Sequence, residues 1–149
     1  MQKRVVFHVD EILGYSPKGA EESYSSKMLI DNTNVGSHNI VVNEFTLKPG
    51  KQTYNGNHGE GYDEIYFILK GEATLYLEND ETHESEPYTV TPGSYAFIKG
   101  GRGHYMVNNG KEDLVMLTFM PKIPEKGINT VYDGRIEEFG KSFILKSEV

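Results

Sequence analysis

Residues 54–71 read YNGNHGEGYDEIYFILKG, and residues 93–108 read GSYAFIKGGRGHYMVN. Each stretch joins β-prone runs to a glycine-rich turn and one histidine. In the first, His58, Glu60, Tyr62, Glu64 and Tyr66 occupy alternate positions, so an extended chain places them on one side of a sheet. Gly56, Gly59 and Gly61 predict a loop over the first half, free to fold His58 and Glu60 round a common centre. Two carboxylates about 4 Å apart in an effective dielectric of about 20 repel by about 4 kcal/mol, and need a proton or a cation between them. A divalent ion supplies that compensation. His104 opens HYMV, with Met106 as its partner in alternation; alone, such a histidine reads as a satisfied core residue.

Outward from these stretches, short β-prone runs continue from about residue 38: HNIVVNEFTL, EIYFIL, EATLYLE, YTV, SYAFI, HYMV and DLVMLTFM. The segments between them are rich in Gly, Pro, Asn and Asp, at the spacing of a sandwich or barrel. None sustains the apolar recurrence of a long amphipathic helix, so the fold class is all-β. Residues 1–9 and KMLID (27–31) are expected as outer strands. Asp10–Leu13 and Ile136–Phe139 are each expected as one helical turn. PKIPEKG reads as a linker, after which the tail ending KSFILK packs back on the barrel or on a second subunit.

The chain has 149 residues, the size of one domain. It has no cysteine, which excludes disulfides and thiolate metal sites and leaves nitrogen and oxygen ligands. Against 15 basic residues stand 22 acidic ones, a net charge of −7; this disfavours nucleic acid, whose affinity for proteins comes largely from Lys and Arg. The N-terminal residues lack a signal-peptide apolar region and no run spans a bilayer, so no membrane partner and a cytoplasmic location are expected. His8, His38 and His83 read as solvated or hydrogen-bonded structural residues.

The spacings of the two opening stretches resemble the motifs of the cupin superfamily, G-x5-H-x-H-x3,4-E-x6-G and G-x5-P-x-G-x2-H-x3-N. Gly93, Gly101, His104 and Asn108 keep the second, with Lys99 where the family usually has proline. Glu64 and Gly71 keep the end of the first, His58 stands at its first metal-binding histidine, and Glu60 replaces its second. Gly50 lies further upstream than the motif prescribes, implying a longer loop before His58. The resemblance covers residues 46–119.

It implies a double-stranded β-helix, a jelly-roll-like barrel, with residues 38–120 as its core, 1–37 as an N-terminal extension with outer strands, and 121–149 as a C-terminal extension. It implies His58, Glu60, Glu64 and His104 as ligands of one divalent ion. An oxygen-rich set suits Mn, Fe(II) or Zn, with Ni also open. Glu60 has two further readings, a general base released from the metal and a loop carboxylate turned to solvent. Tyr54, Tyr66, Lys99, Arg102 and Met106 are the pocket candidates. The function implied is to bind or act on a small polar or anionic metabolite, such as a carbohydrate or carboxylate. Isomerase, dioxygenase, lyase and decarboxylase chemistries are all represented in similar families, and the alternative is a non-catalytic sensor in which the metal only anchors the ligand. A homodimer is expected.

Overall fold

The computed structural model of the chain describes residues 5–17, 19–31, 35–121 and 143–145. The strands are β1 (Tyr15–Pro17), β2 (Tyr24–Ile30), β3 (Ile40–Leu47), β4 (Glu64–Lys70), β5 (Ala73–Glu78), β6 (Ser85–Val90), β7 (Tyr95–Ile98), β8 (His104–Val107), β9 (Leu114–Pro121) and β10 (Phe143–Leu145). Alternation of side chains about the strand axis explains them. In β9, Leu114, Met116, Thr118 and Met120 are buried while the residues between them are half-buried. In β4, Glu64, Tyr66 and Ile68 are buried and Ile65 is exposed.

All pairings are antiparallel. Seven strands form one sheet in the order β10-β1-β2-β3-β9-β4-β7, and three form a second in the order β6-β5-β8. The main core joins both sheets: Leu47, Ile68, Ile98 and Leu114 from the large one, and Leu75 and Met106 from the small one, are essentially inaccessible to solvent. Truncating any of these leucines to alanine is expected to cost about 2–5 kcal/mol. Between β4 and β5 the chain turns at Gly71, whose φ is +80°. A Cβ there would lie 2.5 Å from the Asp113 carbonyl oxygen, so only glycine lets this turn meet the start of β9.

Every strand expected between residues 38 and 120 is present, and Lys27–Ile30 of KMLID lie within β2. The N-terminal expectation is corrected over residues 5–8, which form no strand. His8 instead caps a 3-10 turn at Val9–Glu11, accepting from the Asp10 amide while the Glu11 carboxylate accepts from the His8 amide. This reciprocal capping takes amides that a strand would need. β1 was not expected; β10, from the tail, pairs with it. The turn expected at Ile136–Phe139 lies outside the described residues. Among the described residues no helix is long and apolar enough to cross a membrane.

Candidate metal centre

The segment before His58 runs antiparallel to β8. Asn108 N donates to Lys51 O at 2.9 Å, Thr53 N to Met106 O at 2.9 Å, and Gly56 and His104 exchange both backbone bonds at 2.9 and 3.2 Å. This pairing carries His58 onto the same end of the barrel as His104. Glu64 begins β4 with its side chain inward, because it shares the buried face of Tyr66 and Ile68.

The hairpin beyond β5 holds the turn that presents His104. Glu78 Oε2 accepts from Gly103 N at 3.1 Å, and Asp80 pairs with both Lys99 and Arg102. On its other side this turn rests on the His58 loop: a Cβ at Gly100 would lie 2.5 Å from Tyr62 N and 2.6 Å from Gly59 O. A side chain at position 100 would force the two loops apart.

His58, Glu64 and His104 offer ligand atoms that all lie within 4.8 Å of one another. Glu64 Oε2 is 2.9 Å from His58 Nε2 and 3.4 Å from His104 Nε2. It is nonetheless shut off from solvent and makes no well-directed hydrogen bond. His104 Nδ1 is 3.0 Å from the Arg102 carbonyl oxygen. A carbonyl only accepts, so Nδ1 carries the proton of the neutral ring and the Nε2 lone pair faces the carboxylate. Lone pairs converging on one buried point need a positive charge among them, and a divalent ion meets that need with the ligand types found here.

Without an ion, the same groups shift one another's protonation. Burial opposes ionisation of Glu64, but its contacts with His104 and His58 outweigh it and hold the carboxyl below the ordinary glutamate value. Burial likewise opposes the His104 imidazolium, but the Glu64 carboxylate and the Arg102 carbonyl outweigh it and raise the pKa.

The other expected site residues are distributed differently. Glu60 is exposed and is not among the three converging groups. Gly59 and Gly61 on either side of it have φ of +88° and +82°, which breaks the alternation that would have kept it on the face of His58 and Glu64. Tyr54 and Tyr66 line a cavity of about 500 Å³ that opens onto His58, Glu64 and His104. Lys99 and Arg102 do not line it; their pairing with Asp80 draws them to the outer side of the turn. Met106 faces inward as expected, but is packed into the apolar core and not the cavity wall.

The opposite wall comes from β2, β3 and β9 and includes Ser26, Asn43, Phe45, Met116 and Thr118. Sequence reasoning missed it. The signal was Asn43, a polar residue on the same side of its strand as Phe45 and the buried Leu47.

Residues 43–120 match the model of the Cupin domain family. Auxin-binding protein 1 of Arabidopsis thaliana is 33% identical over 86 residues, 54% of this chain, and the match spans 41% of that protein's length. A predicted oxalate decarboxylase of Thermotoga maritima superposes with a TM-score of 0.63 at 22% identity, covering 80% of this chain and 100% of that one. A Klebsiella pneumoniae protein with a double-stranded β-helix domain superposes with a TM-score of 0.62 at 17% identity, covering 96% and 97% of the two chains. The motif spacing, the antiparallel two-sheet barrel and the family match agree, and the chain belongs to the cupin family.

Proposed function

We propose that the protein holds one divalent metal ion through His58, Glu64 and His104 and uses it to bind, and to act on, a small oxygen-bearing metabolite in the adjoining cavity. The observation that carries this reading is the Glu64 Oε2 atom, buried between two imidazole nitrogens and without a hydrogen bond. The ion, of the Mn, Fe(II), Zn or Ni kind, would supply Lewis acidity to a coordinated oxygen. Glu64 offsets its charge, and the Arg102 carbonyl keeps His104 in its ligating tautomer. Metal analysis of protein purified without chelator tests the reading. Near-stoichiometric metal in wild type, lost in Glu64→Gln, supports it; equal metal in both overturns it.

Glu60 stands outside this ligand set as an exposed loop carboxylate. A second reading, a sensor whose metal only anchors its ligand, is favoured by the cavity wall itself. Among the described residues, and apart from tyrosines, the ionisable residues that line the cavity are the three metal donors, so none of these residues offers a separate general base to a ligand there. Turnover assays on ligands that raise the melting temperature separate the two: unaltered ligand favours the sensor.

Association into a homodimer belongs to the same proposal. On the outer face of the large sheet Phe97 pairs with Ile65 and Tyr95 with Phe67, and Phe97 and Tyr95 are 61% and 73% exposed. Such an apolar patch suits burial against a second copy.

A further inference from the structure

We infer that the wall opposite the metal centre is a subsite for hydroxyl groups, so that the ligand is a hydroxylated carboxylate of monosaccharide size and not an apolar acid. The inference rests on the metal reading for one end of the ligand, and on Ser26, Asn43 and Thr118 for the other.

All three residues are buried and line the cavity. Asn43 on β3 stands directly opposite Thr118 on β9, and Thr118 stands directly opposite Tyr66 on β4. Directly opposed side chains of adjacent strands lie about 5 Å apart. The row therefore leads from Tyr66, the inward neighbour of Glu64 on β4, across two strand spacings of about 5 Å each to Asn43. Ser26 extends it to β2, where its Oγ accepts from Asn43 Nδ2 at 3.3 Å.

Asn43 is 4% exposed, and its Oδ1 has no hydrogen-bond partner. A buried amide oxygen without a donor is a group that native proteins rarely leave unmet. The amide can turn either its oxygen or its nitrogen away from Ser26 Oγ, so the position can meet either a donor or an acceptor. A hydroxyl is both.

Charge narrows the class further. Among the described residues no Lys or Arg lines the cavity, so an anionic group is met at the metal centre and the remainder of the ligand is neutral. Tyr15, Tyr24 and Phe45 supply flat apolar faces beside the polar row, as the C–H faces of a sugar-like chain or ring require. A wholly apolar chain would cover Asn43, Ser26 and Thr118 without satisfying them, and would bind less well.

The test uses gluconate and hexanoate, which share a carboxylate and a chain length and differ in their hydroxyls. Calorimetry is run on manganese-loaded wild type, Asn43→Leu and Thr118→Val, with thermal melts to show that each variant is folded. The expected result is that wild type prefers gluconate by at least about tenfold and that either variant loses most of this preference. Their manganese affinity is expected to equal that of wild type. If manganese binds and gluconate is held no better than hexanoate, or the preference survives both substitutions, the subsite is overturned and the metal reading stands. If manganese fails to bind wild type, the metal reading fails. Gluconate binding to the metal-free protein that is lost in the variants then still supports the polar row, and no gluconate binding overturns both.

Discussion

His104 turns its Nδ1 to the carbonyl oxygen of Arg102, 3.0 Å away, and so directs its Nε2 at Glu64 Oε2, 3.4 Å away on another strand. A backbone atom thereby sets the tautomer of a proposed ligand, as commonly found for metal-binding histidines. The Arg102 side chain has a separate task, holding the turn to Asp80.

Replacing His104 by alanine removes a donor and the ring oriented by that carbonyl. Since loss of an outer-shell partner alone costs about 10–100-fold in metal affinity, loss of the ligand is expected to cost about 100-fold or more. Competition with a calibrated chelator measures it. Arg102→Ala, with the carbonyl retained, is expected to cost far less.

Metal-free protein and metal-loaded protein are expected to respond to pH with opposite sign. The pKa of His104 is raised by folding, so its stabilisation is complete below the unfolded value of about 6.5 and is lost as pH rises through the folded value. Glu64, whose pKa is lowered, stabilises above its unfolded value of about 4.3 and stops doing so as pH falls through its folded value. With chelator present, the urea midpoint is therefore expected to fall as pH climbs above the histidine range. Manganese binds the deprotonated rings, so with manganese the midpoint is expected to climb over that interval. Parallel urea titrations check both signs.

Glu60→Gln is expected to leave metal stoichiometry unchanged and to shift metal affinity by less than about tenfold, since an exposed carboxylate contributes only weakly through solvent. Glu64→Gln is expected to abolish stoichiometric loading. The same metal analysis serves both variants, and equal losses in the two would place Glu60 among the ligands.

Asn108 is fully buried, donates to Leu47 O at 2.8 Å and to Glu112 O at 2.9 Å, and accepts from Gly110 N at 3.0 Å. Its role is to tie the end of β3 to the turn before β9. Asn108→Ala strips partners from those groups and is expected to cost about 3 kcal/mol or more in urea unfolding, with little change in metal affinity per folded molecule.

The dimer proposal predicts that Tyr95→Lys with Phe97→Lys converts a particle of twice the chain mass into one of the chain mass. Light scattering on a sizing column reads this directly, with unchanged metal loading as the control for folding.

The strands were legible because alternation writes itself into runs such as LVMLTFM, and His58, Glu64 and His104 because glycine spacing ties them to two motifs. Glu60 shows where alternation stops being informative: two left-handed glycines beside it reset the side-chain direction, and no side-chain pattern records that. Lys99 and Arg102 were drawn away by Asp80, a partner about 20 residues distant whose hairpin geometry the sequence does not state. The polar wall was hidden for another reason. Ser26, Asn43 and Thr118 come from three separate strands, and only the pairing register makes them neighbours.

Crystals grown with manganese and measured at an energy sensitive to its anomalous scattering test the central claim most directly. The account predicts one strong anomalous peak within coordination distance of His58 Nε2, His104 Nε2 and a Glu64 carboxylate oxygen. Full-length side-chain density for all three residues with no peak between them, at manganese concentrations that saturate ordinary sites, would contradict it.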